Sequence, residues 1–479
     1  MKAINQKIAR GVVWNLSSLL LTRGSNTIFL LVLARLLVPE SFGLVAMVMV
    51  VVELAGVLTN SGLGAALVRS KEVDNIDLTT VFLVNFGVSI AAYGLVFFCA
   101  PFLADFYNQA ELTSLIQVIG LVIIVDASKV VLLAILHRNM NFKADMQANS
   151  IATLCAGILA VTVAYSGLGV WSLVVQVLSQ SFLSAIVLWK ITSWRPGWQF
   201  SLQSFRRLFK FGKNLLAESL LDVAFQHSYV LVIGRYFGAE LTGLYFFARK
   251  ISNLVSQQLT SAVQQATFPA LAMIQDDKIQ LKLKYRQIIQ LTIFIIAPIM
   301  MLIAVLAPSI VSLFFNASWI PAVPFLQVLA IVGLMYPIHS LNINLLNVLG
   351  RSDLVLKLGI FKKLFGLLLL VAAIPYGIIG IVISQLIGTF LALFPNTYFS
   401  SRLISYNWAE QTSDVLRPIA AATIGALASM CCQYFLSETI AATFISGAAG
   451  IAMYLIFSVI IRVEGVSLFY ISLSRIFER

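Results

Sequence analysis

The stretch Ala34-Arg35-Leu36-Leu37-Val38-Pro39-Glu40-Ser41-Phe42-Gly43-Leu44 lies between two long apolar runs and forms the turn of a hydrophobic hairpin at about residues 11–66. Two hundred positions later a near copy follows: Gly234-Arg235-Tyr236-Phe237-Gly238-Ala239-Glu240-Leu241-Thr242-Gly243-Leu244. Arg35, Glu40 and Gly43 recur at the same spacing as Arg235, Glu240 and Gly243. A repeat at this range means two similar bundles, and two bundles in a membrane point to a path between them.

Composition agrees. The chain has 479 residues, 60% hydrophobic and only 11% charged, against roughly 45–50% and about 25% in soluble domains. No soluble fold keeps that much apolar surface from water, so the reading is an all-α polytopic membrane protein. A β-barrel is excluded, because its strands alternate apolar and polar residues and these runs are continuously apolar. The net charge of +12 fits cytoplasmic loops rich in Lys and Arg rather than a nucleic-acid surface, since no soluble domain exists to carry one. Cys99, Cys155, Cys431 and Cys432 lie inside apolar runs and are expected as free, buried thiols.

A span needs about 20 apolar residues. On that measure about fourteen helices are expected, near 11–36, 42–66, 78–101, 112–136, 146–166, 169–190, 210–236, 241–268, 286–314, 322–347, 353–374, 377–399, 415–436 and 440–462. The split between the eleventh and twelfth relies on the Pro375-Tyr376-Gly377 turn. With the N-terminus cytoplasmic, alternate loops collect the basic residues, among them Arg69, Lys71, Arg138, Lys143, Lys190, Arg195, Lys282, Arg286, Arg351 and Arg402. The other side holds essentially Arg35 and Arg235. Both termini are therefore expected inside. The expected organisation is a six-helix bundle at 1–190, a basic cytoplasmic linker at 191–209, a second six-helix bundle at 210–400, and two extra helices with a tail at 401–479. The linker, with Trp194, Pro196 and Trp198, is a candidate for an amphipathic piece in the anionic inner leaflet.

Chemistry-bearing motifs are missing. There is no P-loop, no H-E-x-x-H and no G-x-S-x-G. Asp276-Asp277 reads as a solvated loop pair rather than a metal site. His137, His227 and His339 show no partner by spacing. No enzyme, cofactor or metal is expected.

The spans do carry polar groups. An ionisable group there costs about 2.5–3.5 kcal/mol on insertion scales, so it faces a partner or a wet cavity. Asn15, Ser18, Thr22 and Asn26 form one face of the first helix, with Arg23 at its border. Asn214, Glu218, Asp222 and Gln226 recur at four, and Arg249, Asn253, Ser256, Thr260 and Gln264 form another stripe. Glu53 lies near the middle of the second span. A shift of 199 residues sets Asn15 on Asn214 and Arg23 on Asp222, opposite charges at equivalent depth. This is either a structural ion pair or part of a functional cavity, and the number of such charges favours the cavity. The candidate substrate-binding residues are Arg23, Asn26, Arg249, Asn253 and Lys362. The candidate ion-coupling residues are Glu53, Glu218 and Asp222. Asp126 and Lys129, one turn apart, read as an internal pair. Asn342, Asn344 and Asn347 follow Pro337 and are suited to sugar hydroxyls or to neighbouring helices.

The 34–44 stretch resembles the helix 1–2 signature of the bacterial polysaccharide transporter family, Wzx-type flippases within the MATE-like MOP superfamily. Arg138-Asn139-Met140-Asn141-Phe142, Phe211-Gly212-Lys213-Asn214-Leu215-Leu216, Gly243-Leu244-Tyr245, Phe268-Pro269-Ala270-Leu271 and Leu349-Gly350-Arg351-Ser352-Asp353 agree with it. The likeness covers about residues 5–400 and looks most like the colanic and teichuronic acid exporter branch. It implies two six-helix bundles around a central cavity, alternating access, and transport of an undecaprenyl-diphosphate-linked oligosaccharide, with H+ or Na+ as coupling ion. Membrane lipids and a polysaccharide polymerase or assembly complex are the further partners it implies; nucleic acid is not. Arg35, Glu40, Gly43, Arg235, Glu240 and Gly243 are expected to be structural. The last two spans match the family least and are either peripheral or form a lipid-tail groove. The rivals are a MATE-like drug exporter, a membrane polymerase or ligase, and a scaffold. Short outer loops argue against the enzyme, and charged stripes inside the spans argue against the scaffold.

If the cavity reading holds, Arg23→Glu abolishes polymer export and leaves the protein in the membrane. Undiminished polymer output from that variant counts against it.

Overall fold

The structure is a computed structural model, and it describes residues 22, 24–60, 62–436 and 439–477. All its regular elements are helices. The cause is the solvent: a bilayer core offers the backbone no hydrogen bonds, so each span must satisfy its own N–H and C=O groups. Eleven of the described helices are long and apolar enough to cross a membrane.

In order the elements are α1 (Gly24–Leu36), α2 (Pro39–Asn60), α3 (Leu63–Arg69), α4 (Asn75–Tyr107), α5 (Leu112–Ile119), α6 (Leu121–Arg138), α7 (Phe142–Tyr165), α8 (Trp171–Ile191) and α9 (Leu202–Met273). They continue with α10 (Lys278–Phe314), α11 (Val323–Val348), α12 (Ser352–Ala373), α13 (Gly377–Ile404), α14 (Trp408–Phe435), α15 (Ile440–Ile460) and α16 (Glu464–Phe477). Most expected spans have a counterpart, and the breaks follow backbone chemistry. The run near 42–66 ends at Asn60, because Gly62 takes φ 66° and starts the short α3. The long α9 contains the seventh and eighth expected spans, separated at Gly238, whose φ of 83° is closed to most side chains. The 375–377 turn forms as expected, a 3₁₀ turn at Ile374–Tyr376 followed by Gly377 at φ 74°. The first expected span is described only from Gly24 onward, apart from Thr22.

The chain divides into two compact units, residues 1–243 and 244–479. In the first, Leu44, Met47, Val48 and Val52 of α2 pack with Ala100 and Ala104 of α4 and with Leu115 and Ile116 of α5. A Cβ on Gly157 of α7 would lie 2.2 Å from the Phe29 ring of α1, so a glycine admits that ring.

The two repeat copies meet inside this unit through their glycines. A Cβ on Gly43 would lie 1.8 Å from the carbonyl oxygen of Ala239, and one on Gly243 would lie 1.8 Å from the carbonyl oxygen of Pro39. The contact is reciprocal, since Pro39 and Ala239 hold the same place in the repeat. Apolar burial drives no helix association in lipid, so close backbone approach at small residues does that work. Arg35, Glu40, Arg235 and Glu240 are all exposed, and the Arg235 guanidinium sits over the Phe106 ring at 5.3 Å.

In the second unit α10 is the hub. Arg286 donates from Nε and Nη2 to the buried Asp414 of α14, at 2.5 and 2.7 Å. Gln290 and Tyr406 donate to the same carboxylate at 2.9 and 2.7 Å. Burial, and then the Asp414 carboxylate, pushes the Tyr406 phenol above its ordinary range, so it remains a donor. Tyr454 of α15 donates to the Phe294 carbonyl at 2.7 Å. Gly425 and Gly450 bring α14 and α15 together, each close to the other's carbonyl oxygen. The last two spans are thus an integral, hydrogen-bonded part of this unit rather than a periphery.

Large apolar side chains lie exposed along helix faces that lipid would cover, such as Phe361, Leu364, Leu368 and Val371 on α12. The four cysteines are free as expected, but none is buried, and Cys155 and Cys431 are exposed. Their runs are apolar because of lipid contact, not only because of packing.

Gly43→Ala should cost on the order of 1–3 kcal/mol through overpacking, because a backbone carbonyl cannot swing aside. Gly56→Ala on the same helix meets open space and should leave stability unchanged or slightly raised. Thermal midpoints from fluorescence-detected size-exclusion chromatography of the two variants check this, and equal midpoints would contradict the close contact.

Candidate functional site

Most intramembrane polar groups satisfy themselves, and these are excluded first. Ser256 and Thr260 return their hydroxyls to the carbonyls four residues back, at 2.9 and 2.6 Å. Ser252 donates to the Leu329 carbonyl at 2.6 Å, and Gln264 reaches the Ser340 carbonyl and hydroxyl, both at 2.8 Å. Of the α9 stripe, Ser256 and Thr260 are thus satisfied on their own helix and Gln264 fastens it to α11, with Ser252 adding a second tie. Asn342 is buried and its Nδ2 donates to the Ile338 carbonyl at 2.9 Å, while its Oδ1 has no hydrogen-bond partner among the described residues. Lys129 pairs with Asp126 at 2.6 Å and with Ser184 at 3.0 Å, the internal pair expected. Asp277 caps α10 by accepting from the amides of Ile279 and Gln280, the ordinary work of a loop aspartate.

What remains forms separate clusters. In the first unit, Glu53 of α2 meets His227 of α9, Oε2 to Nε2 at 2.8 Å. The Glu53 side chain is 46% exposed and that of His227 only 16%. The His227 Nδ1 is buried with no hydrogen-bond partner among the described residues. Glu218, Asp222 and Gln226 follow one another at four-residue steps on the same helix. Glu218 is exposed and Asp222 half-buried. Asn26 is half-buried on α1. Arg23 and the side chain of Asn214 lie outside the described residues.

In the second unit, Arg249 hydrogen-bonds the buried Tyr245, whose hydroxyl also donates to the Gln385 amide oxygen at 3.0 Å. Asn253, one turn further along, is half-buried. Lys362 of α12 is half-buried and close enough to His339 of α11 to act on it through its charge. His339 Nδ1 in turn lies 2.6 Å from the Asn396 amide of α13. Cations therefore sit in each of two polar clusters of this unit.

Spacing assigned no partner to the histidines, yet the folded chain gives each one: Asp145 at 3.1 Å for His137, Glu53 for His227, and Asn396 for His339. The Glu53–His227 partners are 174 positions apart. No local pattern carries that signal, although a histidine one residue past the Glu218–Gln226 stripe is a hint. Among the described residues no group of His, Cys, Asp and Glu is arranged to hold a metal.

Residues 32–324 match the profile of the family described as polysaccharide biosynthesis protein. Lipopolysaccharide biosynthesis protein WzxC of Escherichia coli is 26% identical over 403 residues, 82% of this chain and 81% of WzxC. Succinoglycan biosynthesis transport protein ExoT of Rhizobium meliloti is 30% identical over 341 residues, 70% of this chain and 68% of ExoT. The fold is similar to that of lipid II flippase MurJ in an inward closed conformation, with a TM-score of 0.76 at 15% identity, over 96% of this chain and all of that one (100%).

If Glu53 and His227 act as a pair, Glu53→Gln and His227→Gln should be less than additive in the double variant. The coupling should be about 0.6 kcal/mol and at most ~1.7 kcal/mol, the range of interhelical hydrogen bonds in a bilayer. Thermal midpoints of the four proteins measure it, and strict additivity would dissolve the pair.

Proposed function

The chain belongs to the polysaccharide biosynthesis protein family, and from that premise we propose that it flips an undecaprenyl-diphosphate-linked oligosaccharide across the bacterial inner membrane. It is a multi-pass membrane transporter and not an enzyme. The observation that carries the finer reading is the combination, in one chain, of a polysaccharide family match with the fold of a lipid-linked-cargo flippase. The proposed organisation is two six-helix bundles, 1–190 and 210–400, with both termini cytoplasmic, as the distribution of Lys and Arg favours.

The chemistry of the cargo fits the residues. A diphosphate is dianionic or more and is best met by Arg and Lys where water is scarce. Arg23, Arg249 and Lys362 are the cations for that task, and Asn26 and Asn253 supply amides for sugar hydroxyls. Binding alone does not drive transport; a gradient must bias two states. Glu53, Glu218 and Asp222 are the carboxylates for H+ or Na+. Glu53 also ties α2 to α9 through His227, so a coupling ion bound there acts on both helices at once. A polysaccharide polymerase or assembly complex receives the flipped unit.

Deletion of the gene should stop polymer export and leave the lipid-linked oligosaccharide on the cytoplasmic leaflet, where it is extracted and identified by mass spectrometry. Restoring the gene should clear it. Normal polymer without accumulation in the deletion strain would overturn the reading, and so would a phenotype confined to sensitivity toward cationic drugs.

A further inference from the structure

The first unit has a cavity of about 550 Å³ that none of the three polar clusters uses. Phe86 of α4, Ile124 of α6 and Phe182 and Ile186 of α8 line it, and Lys190 and Arg195 stand at one end. We propose that this groove binds one anionic phospholipid, with an acyl chain along the apolar wall and the phosphate between Lys190 and Arg195. The proposal rests on the chain's being a membrane protein and not on the identity of its cargo.

The wall belongs to a lipid-facing surface. Phe182 and Ile186 are 45% and 47% exposed although they sit within a span. Phe182, Ala185, Ile186 and Trp189 follow the i, i+3, i+4, i+7 pattern, so one stripe of α8 forms the wall. From Phe182 to Lys190 the stripe rises eight residues, about 12 Å at 1.5 Å per residue. Half of a hydrocarbon core about 30 Å thick is about 15 Å. The groove therefore spans most of one leaflet and ends where a headgroup lies. A polyprenyl carrier, with a tail many times longer than one acyl chain, would leave most of itself outside.

The end is built for an anion. Arg195 donates to the carbonyls of Thr192, Trp194 and Trp189 at 2.6, 2.8 and 3.0 Å and lies 5.6 Å from the Trp189 ring. Three of its N–H groups thus hold the guanidinium in place, and a guanidinium has five. Lys190 is exposed and makes no hydrogen bond or ion pair among the described residues. None of the described residues that line the cavity carries a carboxylate. Phe82 packs edge-on against Trp189 and Trp194, at 6.0 and 5.9 Å, and closes the rim. Tryptophan and basic residues together are the signature of the interface between lipid and water. Just beyond them Trp198 is 93% exposed, which continues that level along the chain.

The test uses the full chain in mild detergent, titrated with dioleoyl phosphatidylglycerol or dioleoyl phosphatidylcholine and read by thermal midpoint and native mass spectrometry. Phosphatidylglycerol should raise the midpoint and remain bound one to one, and phosphatidylcholine should not. Lys190→Gln should weaken phosphatidylglycerol about fivefold and Lys190→Glu roughly thirtyfold, from the usual contribution of one basic residue at an anionic surface. Ile186→Trp, which fills the groove, should abolish retention while the size-exclusion profile stays that of the parent. Equal retention of the two lipids, or unchanged phosphatidylglycerol binding in Lys190→Glu and Ile186→Trp, would overturn the proposal. A midpoint shift reproduced by inorganic phosphate would assign the site to a free anion, and displacement by undecaprenyl phosphate at equal concentration would assign it to the carrier. Either result overturns the phospholipid. None of these readouts requires the protein to transport anything.

Discussion

In the first turn of α2, the carbonyl oxygen of Ala239 occupies the space of a side chain that Gly43 does not have, and Pro39 does the same to Gly243. Backbones that approach this closely gain dispersion and weak Cα–H···O contacts along their length. In a bilayer that gain is decisive, because lipid is as apolar as leucine and no hydrophobic force presses helices together. The approach admits one residue type at each of the two positions, and it leaves Arg35, Glu40, Arg235 and Glu240 on the surface around it. The repeat therefore marks a contact between its own copies, and its charged members lie exposed around that contact.

The same solvent sorts the polar residues. A hydroxyl or amide in a span must find a partner, and most find one on their own helix or the next: Ser256 and Thr260 one turn back, Gln264 on α11, the Asn342 Nδ2 on the Ile338 carbonyl. Of these, Gln264 fastens α9 to α11, and the others bond within a single helix. Glu53 with His227, Arg249 with Tyr245, and Lys362 beside His339 differ, because each places a group able to carry charge inside a span. Those are the places to which the proposed function assigns a proton or an anion.

At the far end of the chain, Asp414 collects Arg286, Gln290 and Tyr406. A buried carboxylate without such partners would be strongly destabilising. With them it ties α14 to α10, and Tyr454 and the Gly425–Gly450 approach add α15. The last two helices thus have a structural basis of the same kind as the rest of the unit, although they lie beyond the residues that match the family profile.

The amino-acid sequence by itself determined that the chain is helical and crosses the membrane many times, because about 20 consecutive apolar residues leave the backbone no other way to satisfy itself. Local chemistry also placed most breaks, such as the Pro375-Tyr376-Gly377 turn, and the one-turn pair of Asp126 and Lys129. It picked out Glu53, Arg249 and Lys362 as polar residues in apolar runs. It could not say which groups in a stripe are glue, since Ser256 and Asn253 have the same spacing and different neighbours. It also missed His227 and His339, and it took the cysteines to be buried. Those outcomes belong to the tertiary structure, for one physical reason. Periodicity reports the face of a helix on which a residue lies, whereas a hydrogen bond, an ion pair or a lipid contact depends on what another helix, up to 174 positions away, brings to that face.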